Sequence, residues 1–229
     1  MIDLPGQSIH DFYFKNTKKK LFEHDEFGPK VEMPLAVYFR DFYEMPELEQ
    51  KALKLCTGKV LDIGAGAGSH ALELQNLHID VSTLEISPAA CEVMQSRGIH
   101  QVVCDDIFKY NHEKFDTLIL LMNGIGLCGT CGGFEKFLQH AQTLLSPGGQ
   151  LIFDSCDIAY MYEDLPQPEN YYGEVKCCYE YSRQKTDWFR WLYLDFNTMS
   201  AIARSVGWNV ECIAEDENDQ YLARLTRKL

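Results

Sequence analysis

The chain has 229 residues, of which 46% are apolar and 24% are charged, a balance typical of a globular protein with one sizeable core. An apolar run of about 18 residues, as a membrane span requires, does not occur. The first residues lack the pattern of a signal peptide, so we expect a cytoplasmic protein without a membrane partner. The 21 basic and 34 acidic residues leave a net charge of −13, which argues against nucleic acid as the partner and favours a small molecule.

Residues 1–57 are rich in aromatic side chains that prolines interrupt, and this pattern predicts short helices. One helix is expected from about Pro46 to Cys56, with Pro46 at its start and Glu47 and Glu49 near its positive end. We expect these residues to form an N-terminal helical cap.

Residues 58–157 alternate between strand and helix patterns, which predicts a parallel sheet with helices on both faces. The second of the expected helices has Ser87 as its N-cap, Pro88 in its first turn and Gly98 beyond its end. A turn is expected at 147–149. In chain order, strands are expected at 59–64, 80–86, 101–106, 116–123 and 150–155, and helices at 69–77, 87–98 and 134–145.

Residues 158–229 have a different character. Segments 173–182 and 187–196 have strand composition and are expected to form an antiparallel hairpin. A helix should follow, with Asn197 as its N-cap and Gly207 as its C-cap, before a last pair of strands at 208–216 and 220–228. We interpret 1–229 as a single domain with a cap at 1–57, a cofactor-binding core at 58–157 and a sheet-completing tail with one insertion at 158–229.

The most informative segment is the glycine-rich turn at 60–70, VLDIGAGAGSH, which joins the first strand of the core to its first helix. Glycines let a ligand approach the backbone, and the N-terminus of the helix suits an anionic or polar ligand group. The nicotinamide pattern G-x-G-x-x-G/A is satisfied from Gly66, with Gly68 and Ala71, but fails from Gly64 because Ser69 occupies the third position. A P-loop is excluded because no G-K-[ST] follows.

The run 61–68 resembles the first motif of class I S-adenosylmethionine methyltransferases, in which an acid such as Asp62 precedes the first glycine. Glu85 follows Asp62 by 23 residues, at the place where that family binds the ribose of the cofactor. Asp105 and Asp106 follow the third strand, where the family places a polar group near the adenine amine; one should cap a helix and the other contact the ligand, with Asp106 favoured as the contact. Residues 144–151 resemble the turn that leads into the fifth strand.

The resemblance implies a doubly wound, mostly parallel α/β sheet of the Rossmann-like methyltransferase type, with the N-terminal cap and the hairpin insertion added to it. It also implies S-adenosylmethionine as cofactor. The implied cofactor-binding residues are Asp62, Gly64, Ala65, Gly66, Gly68, Glu85, Ile86, Asp105, Asp106, Ile107, Met122 and Asn123.

The loop after the fourth strand, 122–126, faces cofactor and acceptor in that family. It lacks the N/D-P-P-Y/F motif of enzymes that methylate amino groups of nucleic-acid bases, which again argues against DNA. The expected acceptor-site residues are Asn123, Tyr13, Tyr38, Arg40 and Tyr160. A wider set of aromatic residues is hypothesised to contribute to the acceptor site: Tyr13, Tyr38, Tyr160, Tyr162, Tyr171, Tyr172 and Trp188.

The predicted activity is therefore methyl transfer from S-adenosylmethionine, with a small molecule as the expected acceptor. An NAD(P)-dependent oxidoreductase, a module that binds S-adenosylmethionine without chemistry, and a protein substrate remain as alternatives. No catalytic residue is assigned, because positioning supplies much of the acceleration of methyl transfer. No metal is expected, since Cys128 and Cys131 lack the further ligands of a zinc site.

Overall fold

The computed structural model describes residues 2–162 and 168–228 of the chain. Within this part, six α-helices and twelve strands are connected by short turns and four 3-10 helices. The helices are α1 (Leu4–Lys15), α2 (Glu47–Leu55), α3 (Ser69–Asn76), α4 (Pro88–Ser96), α5 (Cys131–Leu144) and α6 (Phe196–Ser205). The strands are β1 (Leu21–Asp25), β2 (Val31–Met33), β3 (Val60–Ile63), β4 (Val81–Glu85), β5 (Val102–Cys104), β6 (Phe115–Leu120), β7 (Leu145–Cys156), β8 (Glu174–Tyr181), β9 (Gln184–Lys185), β10 (Phe189–Leu192), β11 (Trp208–Glu215) and β12 (Gln220–Arg227).

The main sheet has seven strands in the order β11-β12-β7-β6-β3-β4-β5. Strand β4 runs parallel to β5, and β6 runs parallel to β7, whereas β12 is antiparallel to both β7 and β11. The strand order reverses on either side of β3, which confirms the predicted doubly wound, mostly parallel sheet. The last two strands complete this sheet, as the sequence predicts.

A second sheet contains strands from the N-terminal segment, which the sequence analysis assigned to helices. Its order is β10-β8-β1-β2, and β9 pairs with β8. The predicted hairpin therefore does not stand alone, because residues 177–181 of β8 pair with the whole of β1. The prediction of a purely helical cap was wrong for β1 and β2, which are short strands without a regular alternation of apolar residues.

Three local predictions also differ from the structure. Asp195, not Asn197, caps α6, since its side chain accepts from the amide of Thr198. Helix α5 begins earlier than expected because Thr130 caps it by accepting from the Gly133 amide. The expected turn at 147–149 lies inside β7, where the pairing with β6 shifts register between Phe115 and Thr117.

The chain forms two compact units, and neither unit is continuous in sequence. The first comprises residues 1–45, 62–110 and 176–189, and the second comprises residues 46–61, 111–175 and 190–229. In the first unit, Ile9 of α1, Ala67 and Val93 of α4 form one buried cluster. In the second, the fully buried rings of Phe134 and Phe153 meet edge to face at 5.8 Å. No helix in the described part of the chain is long and apolar enough to cross a membrane.

Candidate functional site

The glycine turn of the first unit follows β3 and leads into α3. It is held to the next strand because Gly64 donates its amide to the carbonyl of Leu84 at 2.8 Å. Gly64 has a φ of 71°, and a Cβ placed on it would meet no atom within 4 Å. One side of the turn is therefore open, and a ligand can approach the backbone there without a side chain in the way.

Glu85 ends β4 beside this turn and ties it to the strand. Its Oε2 accepts from the amide of Gly66 at 3.0 Å, and its Oε1 accepts from the amide of Ser87 at 2.9 Å. Burial raises the pKa of the Glu85 carboxyl, while these two amides oppose the shift. Next to it, the Ile86 side chain is 70% exposed, so a carboxylate and an uncovered apolar side chain stand together at the strand end.

Ser87 links the N-termini of helices α4 and α1 beside Glu85. It caps α4 by accepting from the amide of Ala90 at 3.0 Å, and its hydroxyl donates to Asp3 at 2.5 Å. Asp3 in turn caps α1 by accepting from the amide of Gly6 at 2.9 Å. The start of the N-terminal helix is thus anchored beside the strand end that carries Glu85.

The two acids that follow β5 have different roles. Asp106 caps the next turn, because its side chain accepts from the amide of Phe108 at 3.0 Å and pairs with Lys109 at 3.3 Å. Asp105 lies closer to Glu85, since its amide donates to the Glu85 carbonyl at 3.2 Å. Ile107 is buried. The Asp105 side chain is engaged as well, since it accepts from the amide of Asp106 at 2.7 Å. The preference for Asp106 as the ligand contact therefore stays a prediction.

Asp62 is a buried carboxylate at the end of β3. It is 2% exposed, and its Oδ2 has no hydrogen-bond partner among the described residues. Burial raises the pKa of the Asp62 carboxyl to about 6, and the nearby His70 and the amide of Ala71 offset only part of that shift. A buried carboxylate with a free oxygen is unfavourable by itself and suited to a ligand that donates hydrogen bonds.

Tyr38 lies directly on the glycine turn. Its ring comes within 3.2 Å of the position that a Cβ would take on Gly66. Its carbonyl accepts from the Ser69 hydroxyl at 2.7 Å. Arg97, at the end of α4, donates to the Ala67 carbonyl at 2.5 Å and lies over the ring of Phe39. Among the residues expected at the acceptor site, Tyr38 is the one that the structure brings to this turn.

The other expected acceptor residues of the first unit lie elsewhere in it. The Tyr13 hydroxyl donates to the carbonyl of Ser96, at the opposite end of α4 from Glu85. Arg40 lines a cleft of about 390 Å³ together with Phe12 and Phe39. Neither contact involves the glycine turn.

The second unit holds the loop that follows β6. Met122 and Asn123 both have positive φ, 59° and 54°, which non-glycine residues rarely adopt. The Asn123 amide donates to Asp154 at 3.0 Å, and the side-chain carbonyl of Asn123 accepts from Ser155 at 2.9 Å. Ser155 also accepts from the amide of Leu194 at 3.0 Å. Two strained residues held by a buried polar network are typical of a functional site.

Asp154 and Ser155 were missed in the sequence analysis, although both stand in the expected strand at 150–155. The signal was two polar residues at the end of an otherwise apolar strand, which points to the edge where ligands bind in such sheets. The Asn123 side chain is largely used within this network, since its Nδ2 also donates to the Leu192 carbonyl at 3.3 Å.

The aromatic residues of the tail are mostly engaged with one another. The Tyr171 hydroxyl donates to Asp195 at 2.7 Å, and the Tyr172 hydroxyl donates to Asp157 at 2.7 Å. The Tyr162 hydroxyl donates to the carbonyl of Tyr172 at 2.9 Å. Tyr160, which is 62% exposed, and Trp188 show outward-facing rings. Their part in an acceptor site stays a prediction.

Cys128 and Cys131 flank the start of α5, and burial raises the pKa of both thiols. For Cys131 the value is about 11, and the carboxylate of Glu174 adds to the effect of burial. Thiols held in the protonated form are poor nucleophiles and poor metal ligands. Among the described residues, no three His, Cys, Asp or Glu side chains are grouped as a metal site would require.

Comparison with known proteins identifies the fold and the domain type. A family model described as a methyltransferase domain matches residues 57–196. The structure of an S-adenosylmethionine-dependent methyltransferase from Bacteroides fragilis, in complex with S-adenosyl-L-homocysteine, is 38% identical with a TM-score of 0.93. That alignment covers 99% of this chain and 95% of the other.

Two further relatives are more distant. A methyltransferase structure from Clostridium acetobutylicum is 13% identical over 82% of this chain and 94% of its own, with a TM-score of 0.62, and shows the fold alone. The ribosomal RNA large subunit methyltransferase I of Citrobacter koseri is 28% identical over 116 residues. That match takes in 46% of this chain and only 26% of the relative's length.

Proposed function

Because the chain belongs to the family of S-adenosylmethionine-dependent methyltransferases, we propose that it methylates a small molecule and that the strand ends around Glu85 hold the cofactor. The single observation that carries the site assignment is the arrangement of Glu85, Asp62 and the open glycine turn in one unit. The nicotinamide alternative fits only the glycine spacing, whereas the family assignment accounts for the acids as well.

The residues present fit the cofactor. Glu85 keeps lone pairs beyond those that the two amides occupy, so it can accept from both ribose hydroxyls. Ile86 offers apolar surface to the adenine, and we assign the adenine amine to the acidic pair Asp105 and Asp106, with Asp106 favoured as the contact. The free Oδ2 of Asp62 suits the positively charged amino group of the methionine portion, and the open side of Gly64 admits that portion close to the backbone.

When bound, S-adenosylmethionine supplies a methyl group that its sulfonium already activates. The protein has to orient the acceptor, exclude water and remove a proton where the acceptor requires it. Asn123 is proposed as an acceptor contact on the ground of its own surroundings: Asp154 accepts from its backbone amide and Ser155 donates to its side-chain carbonyl, so its side chain is held in one orientation.

A small acceptor is supported by the charge of the chain. A net charge of −13 repels the phosphates that a methyltransferase of nucleic acid must contact. We place the reaction in the cytoplasm and treat the chain as one methyltransferase domain, as the sequence predicts.

The test of this proposal is calorimetric titration with S-adenosylhomocysteine. The wild-type protein should bind it with micromolar affinity, and Glu85→Ala should weaken binding by about tenfold or more, because a charge-assisted pair of hydrogen bonds is lost. Glu92→Ala removes an exposed carboxylate from α4 and is the matched control, for which affinity should not change. Binding of NAD or NADP in place of S-adenosylhomocysteine would overturn the proposal.

A further inference from the structure

The inner face of the second sheet carries a carboxylate that the proposed function has not used. Side chains alternate along β1, so Leu21 and Glu23 share one face of the strand. Leu21 is fully buried, and both Tyr38 and Tyr179 pack against its cluster. Glu23 is paired across the sheet with Tyr179 of β8. Glu23 therefore points to the side of the sheet on which Tyr38 lies.

Tyr38 connects this face to the glycine turn. One edge of its ring covers Gly66, and its backbone carbonyl is held by Ser69. Burial raises the pKa of the Tyr38 hydroxyl to about 12, and the charges of Glu23 and Glu85 add to that effect. The Tyr38 hydroxyl therefore lies within electrostatic range of two carboxylates, Glu85 beside the glycine turn and Glu23 on the sheet.

Glu23 has no cation of its own in the part of the chain that the structure describes. Its titratable neighbours are Asp25 on the same strand, Cys177 and Tyr179 on β8, and Tyr38, while Val31 faces it from β2. Burial raises the pKa of the Glu23 carboxyl, and the Cys177 thiol opposes the shift by donating to it.

Three basic side chains of this sheet lie against Glu180 and not against Glu23. His24 and Lys30 bind Glu180 at 2.7 and 2.9 Å, and Lys185 lies 3.8 Å from the same carboxylate. His24 is next to Glu23 in sequence and so points to the opposite face of β1. A partly buried carboxylate without a counter-ion is costly in the free protein, and a cationic ligand would relieve that cost.

We propose that Glu23 binds the nitrogen of an amine acceptor and acts as its general base, an inference that rests on the proposed function. Glu23 accepts one proton from the bound ammonium, which frees the lone pair on nitrogen. That pair forms the new nitrogen–carbon bond while the carbon–sulfur bond breaks and leaves its electrons on sulfur. The methylated product leaves as an ammonium ion, and Glu23 passes its proton to water.

The chemistry of the surroundings fits an amine better than an anionic acceptor. The face offers the Glu23 carboxylate and the rings of Tyr38 and Tyr179, and ring faces attract cations. Asp25, further along the same face, accepts from the amides of Phe27 and Gly28. A pKa raised above the ordinary value for Glu brings the base closer to neutral pH, which suits proton transfer.

The experiment uses sinefungin, an analogue of S-adenosylmethionine in which an amine-bearing carbon replaces the methyl-bearing sulfonium. It therefore presents a cation where the acceptor and the methyl group meet. Calorimetry should show that Glu23→Gln weakens sinefungin binding by about tenfold and leaves the affinity for S-adenosylhomocysteine unchanged. Glu32→Gln on β2 removes the same charge from an exposed ion pair with Lys20, and it should affect neither ligand.

The outcomes separate this inference from the proposed function. Failure of the wild-type protein to bind S-adenosylhomocysteine would overturn the proposed function. Sinefungin binding that does not respond to Glu23→Gln, or an equal loss for both ligands, would overturn the role of Glu23 alone. Glu23→Asp keeps the charge and should restore part of the preference for sinefungin, whereas a purely structural role would show no such rescue.

Discussion

At the scale of single residues, the candidate cofactor site contains two carboxyl groups whose ionised form is disfavoured in the folded protein. Asp62 is buried and Glu85 is half-buried, and burial raises the pKa of each carboxyl. Their arrangement costs stability in the free protein, and a ligand with hydroxyl and ammonium donors would recover that cost. Carboxyl groups whose pKa is raised by burial are frequent at functional sites, which supports the choice of this strand edge as the candidate binding site.

Asp62→Asn should stabilise the free protein at pH 8 by on the order of 1–3 kcal/mol. The folded carboxyl ionises at about pH 6 and the unfolded one near its ordinary value of 3.8. Unfolding therefore releases a proton between these values, and stability is lost as the pH rises through that window and stays lost above it. Urea denaturation at pH 4 and pH 8 measures the effect, which should be present only at pH 8.

The same substitution should weaken the binding of S-adenosylhomocysteine, because its ammonium group loses an ionised partner. For the wild-type protein, affinity should fall as the pH drops below about 6, where Asp62 becomes protonated. The Asp62→Asn protein should show no such dependence. An unchanged stability at pH 8 together with unchanged affinity would contradict the role assigned to Asp62.

At the scale of secondary-structure elements, the sites lie where strands end and helices begin. Arg97 at the end of α4 links that helix to the glycine turn through the carbonyls of Ala67 and Tyr38. Ser155 at the end of β7 links the loop after β6 to the segment before α6. These contacts join elements far apart in sequence, so they follow from the tertiary fold and leave no local pattern.

Ser155→Ala should lower the free energy of unfolding by about 1–3 kcal/mol, since the Asn123 side chain and the Leu194 amide lose a buried partner. The loss should be larger than for Ser205→Ala, because Ser205 is exposed and bonds only to the nearby Ile202 carbonyl. Equal effects of the two substitutions, measured by urea denaturation, would show that the network does not hold the loop.

Arg97→Ala should loosen the glycine turn without removing a residue expected to touch the ligand. We expect a loss of about 1–3 kcal/mol in stability and faster hydrogen exchange at the amides of Gly66 and Gly68. Arg204→Ala, an exposed change at the end of α6, is the control. Unaltered exchange in the Arg97→Ala protein would indicate that the contact between Tyr38 and Gly66 is sufficient to hold the turn.

At the scale of the whole molecule, the sequence predicted the main sheet well, because its signals are local. Each core strand is a short apolar run, and capping residues such as Ser87 mark where helices begin. The second sheet was not predicted, because β1 and β8 lie about 150 residues apart and their pairing depends on packing. The role of Glu23 was missed for the same reason, since only that pairing brings it to the face where Tyr38 lies.

The candidate cofactor acids could be proposed from the sequence, whereas the surroundings of the candidate acceptor residues could not. Asp62 and Glu85 lie among the last two residues of β3 and β4, and the resemblance to known methyltransferases pointed to both. Tyr13 and Tyr38 look alike in sequence, yet the first reaches Ser96 and the second covers Gly66. Which aromatic residue reaches the turn depends on how α1 packs on α4, and no local pattern records that.

The net charge of the protein leads us to predict that the methylated product is a small molecule and not RNA. With 34 acidic and 21 basic residues, the protein should not bind RNA with the steep salt dependence of proteins that neutralise many phosphates. If a cell extract is incubated with the protein and methyl-labelled S-adenosylmethionine, label should appear in the small-molecule fraction and be absent from RNA. The Glu85→Ala protein is the control and should give much less label in the small-molecule fraction. Label in nuclease-sensitive material would instead assign the chain an RNA acceptor, as the name of its Citrobacter relative indicates for that protein.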